Sequence, residues 1–158
     1  MNDENAGTDH PQVRMPPPLI YLGGILIGYG LDQVIGRPLP LPEWIEAIAV
    51  TLAALAIGLI ASTLLLFRRH RTTVLPHRAA STLVTSGPFR ISRNPIYLGF
   101  SLLYLACVLS LASIGMLLVL LPVLWVINTH VIAEEEAFHA RCFGAAWQEY
   151  CQQVRRWL

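Results

Sequence analysis

The chain has 158 residues, of which 54% are hydrophobic and only 13% are charged. A soluble domain carries about 25% charged residues, so this composition excludes an ordinary water-exposed globular surface. Eleven arginines, with no lysine, and ten acidic residues give a net charge of +1. A charge this small does not produce the broad positive potential that is typical of a nucleic-acid-binding protein. We therefore expect a membrane protein whose partner is the lipid bilayer and which has no nucleic-acid partner.

Four stretches are apolar enough to cross a membrane as helices. The second is a run of 21 residues without a charge, which as a helix is about 31 Å long, the thickness of a hydrocarbon core. The third and fourth form one charge-free run that is too long for a single span, and the segment from Ser110 to Gly115 divides it. The first stretch is a weaker candidate for a membrane span because Asp32 lies near its end. The four stretches are residues 19–35, 47–67, 96–112 and 115–133.

Two features of the first stretch have both a structural and a functional interpretation. Gly24 and Gly28 have the spacing of a close helix-packing face, which we favour because no strand precedes them to form a nucleotide-binding loop. Asp32 is the only acid near membrane depth, and a carboxylate there is commonly functional. Its place near the outer end equally fits a residue whose carboxylate reaches the membrane interface.

The arginine distribution predicts the orientation of the bundle. The loop formed by residues 68–94 contains six arginines and no acid, whereas the first loop contains one arginine, Arg37, and the third has no charge. Arginine-rich short loops stay in the cytoplasm, so we expect both termini on that side and the protein in the cell (inner) membrane. The six arginines are Arg68, Arg69, Arg71, Arg78, Arg90 and Arg93.

These patterns predict an all-α membrane protein. Residues 1–18 are expected to form a polar N-terminal tail. They are acidic and proline-rich, and they lack the basic start that is typical of a signal peptide. Residues 19–133 are a transmembrane bundle of about four helices. Residues 134–158 have apolar side chains at helical spacing and are expected to form a cytoplasmic amphipathic helix that completes a site.

Two groups of opposite charge converge on the cytoplasmic face. Arg90 and Arg93 precede the third span, and the run Glu134 to Glu136 follows the fourth. Taken singly, the arginines enforce topology and the acids favour a helix N-terminus. Taken together, they match a ligand that carries both a carboxylate and an ammonium group. The histidines and the three cysteines have no metal-ligand spacing, so we expect no metal site.

The segment from Gly87 to Gly99, with the acidic pair about forty residues later and a terminal Arg-Arg-Trp, resembles the superfamily of isoprenylcysteine carboxyl and phospholipid methyltransferases. The resemblance covers roughly residues 72–158. It implies an integral membrane methyltransferase that binds S-adenosylmethionine on the cytoplasmic side and takes a lipidic or apolar acceptor from the bilayer. Asn94 stands where the eukaryotic members have histidine, and an amide cannot serve as a general base.

The resemblance also implies roles for individual residues, with Arg156 as the cation of the C-terminal motif. Arg93 or Arg156 is expected to hold the methionine carboxylate, and Glu135 or Glu136 the ammonium group. The residues implied for cofactor binding are Arg90, Arg93, Asn94, Pro95, Tyr97, Gly99, Glu135 and Glu136, and those implied for catalysis are Arg93, Asn94 and Arg156.

Several functions stay open at this point. The acceptor is a prenylated cysteine carboxylate, a phospholipid amine, a small thiol or another apolar metabolite. A small four-helix transporter is the alternative from another class. A transport site needs polar residues near the membrane midplane, whereas this chain has its polar residues in a loop and in the C-terminal tail. A third hypothesis is a non-catalytic subunit of a membrane assembly, but it does not explain the arginine motif before the third span and the acidic motif after the fourth.

Overall fold

The computed structural model describes residues 15–36, 39–69 and 83–158, and within these ranges it is helical with no strands. Three helices are long and apolar enough to cross a membrane, and a fourth apolar helix is shorter. The prediction of an all-α membrane bundle with about four spans is confirmed. The four are α1 (Pro17–Ile35), α2 (Ile45–Arg69), α3 (Pro95–Ser110) and a long helix from Ile114 to Phe143.

The first helix packs closely against the long helix through the predicted glycine face. A Cβ atom added to Gly24 would lie 2.5 Å from Val123 Cγ2, and one added to Gly28 would lie 2.5 Å from Met116 Cα. Only residues without a side chain allow the two backbones to approach so closely, as is common between membrane helices. The interpretation of these glycines as a packing face is confirmed.

Asp32 caps the start of the long helix. One of its carboxylate oxygens accepts a hydrogen bond from the Gly115 N–H at 2.7 Å, and the other accepts one from the Ser113 hydroxyl. The Ser113 oxygen in turn accepts from the Met116 N–H at 2.9 Å. Backbone N–H groups at a helix start have no partner within the helix, so this carboxylate satisfies a structural need at the end of the bundle opposite to Arg93 and Glu136.

The long helix does not end where its charges begin. Its α-helical part α4 (Ile114–Val126) passes through a π-helical segment, Ile127–Ile132, directly into α5 (Ala133–Phe143). Gly144, with φ 51°, then breaks the helix, and α6 (Ala145–Gln153) follows. The expectation of one amphipathic helix over residues 134–158 is therefore wrong.

The last residues of the chain are not helical because their carbonyl groups bond to another part of the molecule. Val154 has extended backbone, with φ −127° and ψ 133°. The Arg155 carbonyl accepts from the Arg93 N–H at 3.0 Å, which replaces the bond it would make in a helix. We call residues 154–158 the C-terminal strap. It lies against the start of α3.

The orientation of the bundle stays a prediction, and Arg71 and Arg78 lie outside the described residues. We expect the single-cysteine variants Asn2→Cys and Pro40→Cys, made without the natural cysteines, to react with an impermeant maleimide from opposite sides. Asn2→Cys should react only after the membrane is opened, and Pro40→Cys should react in intact cells. Labelling of Asn2→Cys from outside would contradict the predicted topology.

Candidate functional site

A short irregular segment places the first motif at one end of the bundle. Gly87, with φ 59°, starts a 3₁₀ turn over Gly87–Arg90, and α3 begins at Pro95, whose missing N–H suits a first helical turn. Between these elements, Ser92 Oγ accepts from the Asn94 N–H at 3.1 Å. The side chains of Ser92, Arg93 and Asn94, just before α3, reach α5, α6 and the strap.

Glu136 holds two arginines at once. Its Oε1 accepts from Arg93 Nε at 3.1 Å and lies 2.9 Å from Arg93 Nη2. Its Oε2 accepts from Arg156 Nε at 3.1 Å and also from Arg156 Nη2. The side chains of Arg93 and Glu136 are only 13% and 14% exposed, whereas that of Arg156 is 34% exposed. Arg93 and Glu136, one member of each predicted charge group, therefore meet in one cluster with Arg156.

Arg93 is the centre of this cluster. Its Nη1 donates to the carbonyls of Cys151 and Val154 at 3.2 and 3.1 Å, and its guanidinium lies 5.9 Å from the centre of the Trp147 ring. Together with the two nitrogens on Glu136, this engages all three guanidinium nitrogens. Arg93 thus ties the start of α3 to α5, α6 and the strap, and few of its donors are left for a ligand.

Asn94 and Ser92 hold the strap through a single acceptor. Asn94 Nδ2 donates to the Arg156 carbonyl at 3.1 Å, and Ser92 Oγ donates to the same oxygen at 3.2 Å. Both residues are buried. The predicted site residue Asn94 therefore uses its amide to position Arg156.

Tyr97 and Glu135 form a second polar pair beside the cluster. The Tyr97 hydroxyl donates to Glu135 Oε1 at 2.6 Å, one turn into α3. In α1, the Tyr21 hydroxyl donates to the Tyr97 carbonyl at 3.1 Å and thereby braces this turn. In the part of the chain that the structure describes, Glu135 Oε2 has no hydrogen-bond donor, so this carboxylate keeps capacity for a ligand.

Three of the predicted site residues lie apart from the charged cluster. Arg90 is exposed at the end of the 3₁₀ turn and, within the described ranges, pairs with neither acid of the site. Gly99 packs against α2, since a Cβ atom there would lie 2.5 Å from Ile60 Cγ1. Pro95 is buried at the first turn of α3. Their roles toward a cofactor stay predictions.

The sequence reasoning missed Asn128. This residue lies in the π-helical segment, and its Oδ1 accepts from Arg156 Nη1 and from Trp157 Nε1, each at 3.2 Å. An amide within an otherwise apolar span was the available signal, because an unpaired polar group is costly at that depth. Its partners are 28 and 29 residues away in the chain and cannot be read from the local sequence.

The rings of α5 and α6 form a stack that supports Arg93. The His139 ring lies 5.9 Å from that of Phe143 and 5.0 Å from that of Trp147, with an angle of 19° between the planes in both pairs. His139 Nδ1 lies 2.7 Å from the Glu135 carbonyl oxygen, so this nitrogen carries the proton.

Two side chains of α6 are uncharged at neutral pH. Burial raises the pKa of the Tyr150 phenol to about 12, and its hydroxyl donates to the Phe89 carbonyl at 2.7 Å. Burial also raises the pKa of the Cys151 thiol, although Arg93 opposes this shift. Tyr150 therefore fastens α6 to the 3₁₀ turn, and Cys151 is a neutral thiol with little nucleophilic character.

A family model described as phospholipid methyltransferase matches residues 44–146, which is 103 of the 158 residues. No curated protein and no solved structure matches the chain. The matched range includes Arg93, Tyr97 and both acids of the site, whereas α1 and the strap lie outside it.

Proposed function

We propose that the chain, which belongs to the phospholipid methyltransferase family and is a membrane methyltransferase, takes its methyl group from S-adenosylmethionine and passes it to a lipidic or apolar acceptor. The observation that carries this proposal is the charged cluster of Arg93, Glu136 and Arg156, with Glu135 beside it, at one end of an apolar bundle. A ligand with both a carboxylate and an ammonium group finds partners of both signs there.

The chemistry of the cluster fits S-adenosylmethionine. Arg156 is the more exposed of the two arginines, and each of its terminal nitrogens has one contact in the described structure, so it is the better donor for the methionine carboxylate. Glu135, with its free Oε2, is the better acceptor for the ammonium group. Arg93 and Glu136 then hold the framework around the ligand.

When bound, S-adenosylmethionine supplies a methyl group on a sulfonium, which transfers by in-line displacement. The protein's contribution is to align the acceptor and to exclude water. A carboxylate acceptor needs no base at neutral pH, whereas a protonated amine must first lose a proton. Asn94 cannot take that proton, because an amide is not a base near neutral pH and its nitrogen is bonded to the strap.

The acceptor is identified by incubating membranes that contain the protein with methyl-labelled S-adenosylmethionine. Label in a base-labile ester indicates a carboxylate acceptor, label in a phospholipid headgroup an amine, and label in a volatile thioether a small thiol. Absence of any labelled product, together with absence of cofactor binding by the purified protein, would contradict the proposal and favour the transporter.

Glu135→Gln should weaken S-adenosylmethionine binding by about 10- to 100-fold, because a charge-assisted contact to an ammonium group is worth about 1.5–3 kcal/mol. Glutamine keeps the shape of the side chain and still accepts a hydrogen bond from Tyr97. The loss of affinity therefore measures the contribution of the negative charge of Glu135. Equilibrium dialysis of the purified protein with labelled cofactor measures it.

The matched control is the adjacent Glu134→Gln, since Glu134 is exposed. It should bind the cofactor as the unmodified protein does. Equal affinity of the two variants would show that Glu135 is not the ammonium partner.

A further inference from the structure

The C-terminal strap is fixed on two sides. On the side of α3, its carbonyls accept from the Arg93 N–H, Ser92 Oγ and Asn94 Nδ2. On the side of the long helix, its Arg156 and Trp157 side chains both reach Asn128. The strap carries the arginine that the proposed function assigns to the methionine carboxylate, although it lies beyond the matched range.

Asn128 uses its amide oxygen fully on the strap. A carbonyl oxygen has two lone pairs, and here one donor comes from Arg156 Nη1 and the other from Trp157 Nε1, at 3.2 Å each. The oxygen lies in an apolar helix, where an unpaired polar group would be destabilising. The strap is therefore the group that satisfies Asn128.

Glu136 alone does not fix the direction of the Arg156 guanidinium. Both Arg156 Nε and Arg156 Nη2 donate to a single oxygen, Glu136 Oε2, and a planar group held at one point can pivot about it. The bond from Arg156 Nη1 to Asn128 holds the third nitrogen and removes that pivot. Two anchors on one helix face thus determine the plane in which Arg156 presents its remaining donors.

We propose that Asn128 is a positioning residue that docks the C-terminal strap and sets the orientation of Arg156 toward the cofactor. The second half rests on the proposed function, whereas docking of the strap does not. The side chain of Asn128 acts through Arg156 and Trp157.

Strap docking is measured by trypsin, which cleaves after arginine. The carbonyls of the two peptide bonds after Arg155 and Arg156 are the ones bonded to Arg93, Ser92 and Asn94, so cleavage requires the strap to open. When opening is fast relative to cleavage, the rate reports the open fraction. The readout is the C-terminal mass loss of the full chain in detergent, which needs no cofactor.

Asn128→Leu should raise this cleavage rate about tenfold or more, because one charge-assisted and one neutral hydrogen bond are lost. Asn128→Asp keeps an acceptor for both donors and should stay as protected as the unmodified protein. Thr129→Val is the matched control, since the Thr129 hydroxyl donates to the Trp125 carbonyl rather than to the strap, and it should change nothing.

The affinity for S-adenosylmethionine tests whether Asn128 sets the orientation of Arg156. Asn128→Leu should bind it about tenfold more weakly, and Asn128→Asp should restore binding. An unchanged cleavage rate in Asn128→Leu would overturn the docking role, and a released strap with unchanged affinity would overturn the effect on Arg156. If the unmodified protein binds no S-adenosylmethionine, the proposed function fails, and the trypsin result alone decides the docking role.

Discussion

Arg93→Lys is expected to reduce methyl transfer by about 100-fold or more while the protein still inserts and accumulates, which corresponds to about 2.7 kcal/mol at the transition state. Arg93 binds one carboxylate and two carbonyls that lie in different directions, and its guanidinium carbon lies 5.9 Å from the centre of the Trp147 ring. A lysine ammonium is a single compact charge and cannot span these partners. The start of α3, α6 and the strap then lose their common connection.

The matched control is the double change Arg68→Lys and Arg69→Lys. Both arginines are exposed in the last turn of α2, where a cation need only be positive and near lipid headgroups. Transfer of label from S-adenosylmethionine in membranes, normalised to the amount of protein, compares the variants. Equal activity of the Arg93 variant and the control would place Arg93 among residues that only enforce topology.

Gly28→Ala is expected to destabilise the folded bundle by about 3 kcal/mol, the upper end for overpacking. The added methyl would lie 2.5 Å from Met116 Cα and 2.7 Å from Met116 N. Backbone atoms cannot avoid it by changing rotamer, so α1 and α4 must separate and lose the contacts along their whole crossing. The thermal unfolding midpoint in detergent measures the loss.

Gly30→Ala, two residues further along α1, is the control. Within the described residues, no atom lies within 4 Å of a Cβ atom placed there. Alanine is the better helix former by about 1 kcal/mol, so this variant should be as stable as the unmodified protein or more stable. A fall in both midpoints would assign the effect to α1 itself rather than to its contact with α4.

The helices follow from the sequence because their signal is local. Apolar runs with at most one charge located four helices, and two glycines four residues apart located the face through which α1 packs. The fourth helix continues beyond residue 133, because the acids from Glu134 onward change the polarity of the helix surface without ending the helical backbone. The helix ends at Gly144, whose positive φ breaks it.

The sequence named three residues of the charged cluster, but it did not give the contacts among them. Both motifs pointed to Arg93, Glu136 and Arg156, and the structure brings the three together. Sequence alone could not show that Glu136 pairs with both arginines, because Arg93 and Glu136 are 43 residues apart. Asn128 was missed for the same reason.

The long separations within the cluster give the protein an order of assembly. Residues synthesised first fold first, so the four apolar helices can enter the bilayer while Arg93 still lacks Cys151, Val154 and Arg155, 58 to 62 positions downstream. Insertion and completion of the site are therefore separate events. A chain that fails only at the second event is inserted in the membrane but inactive. Quality control that recognises unfolded membrane segments would not recognise such a chain.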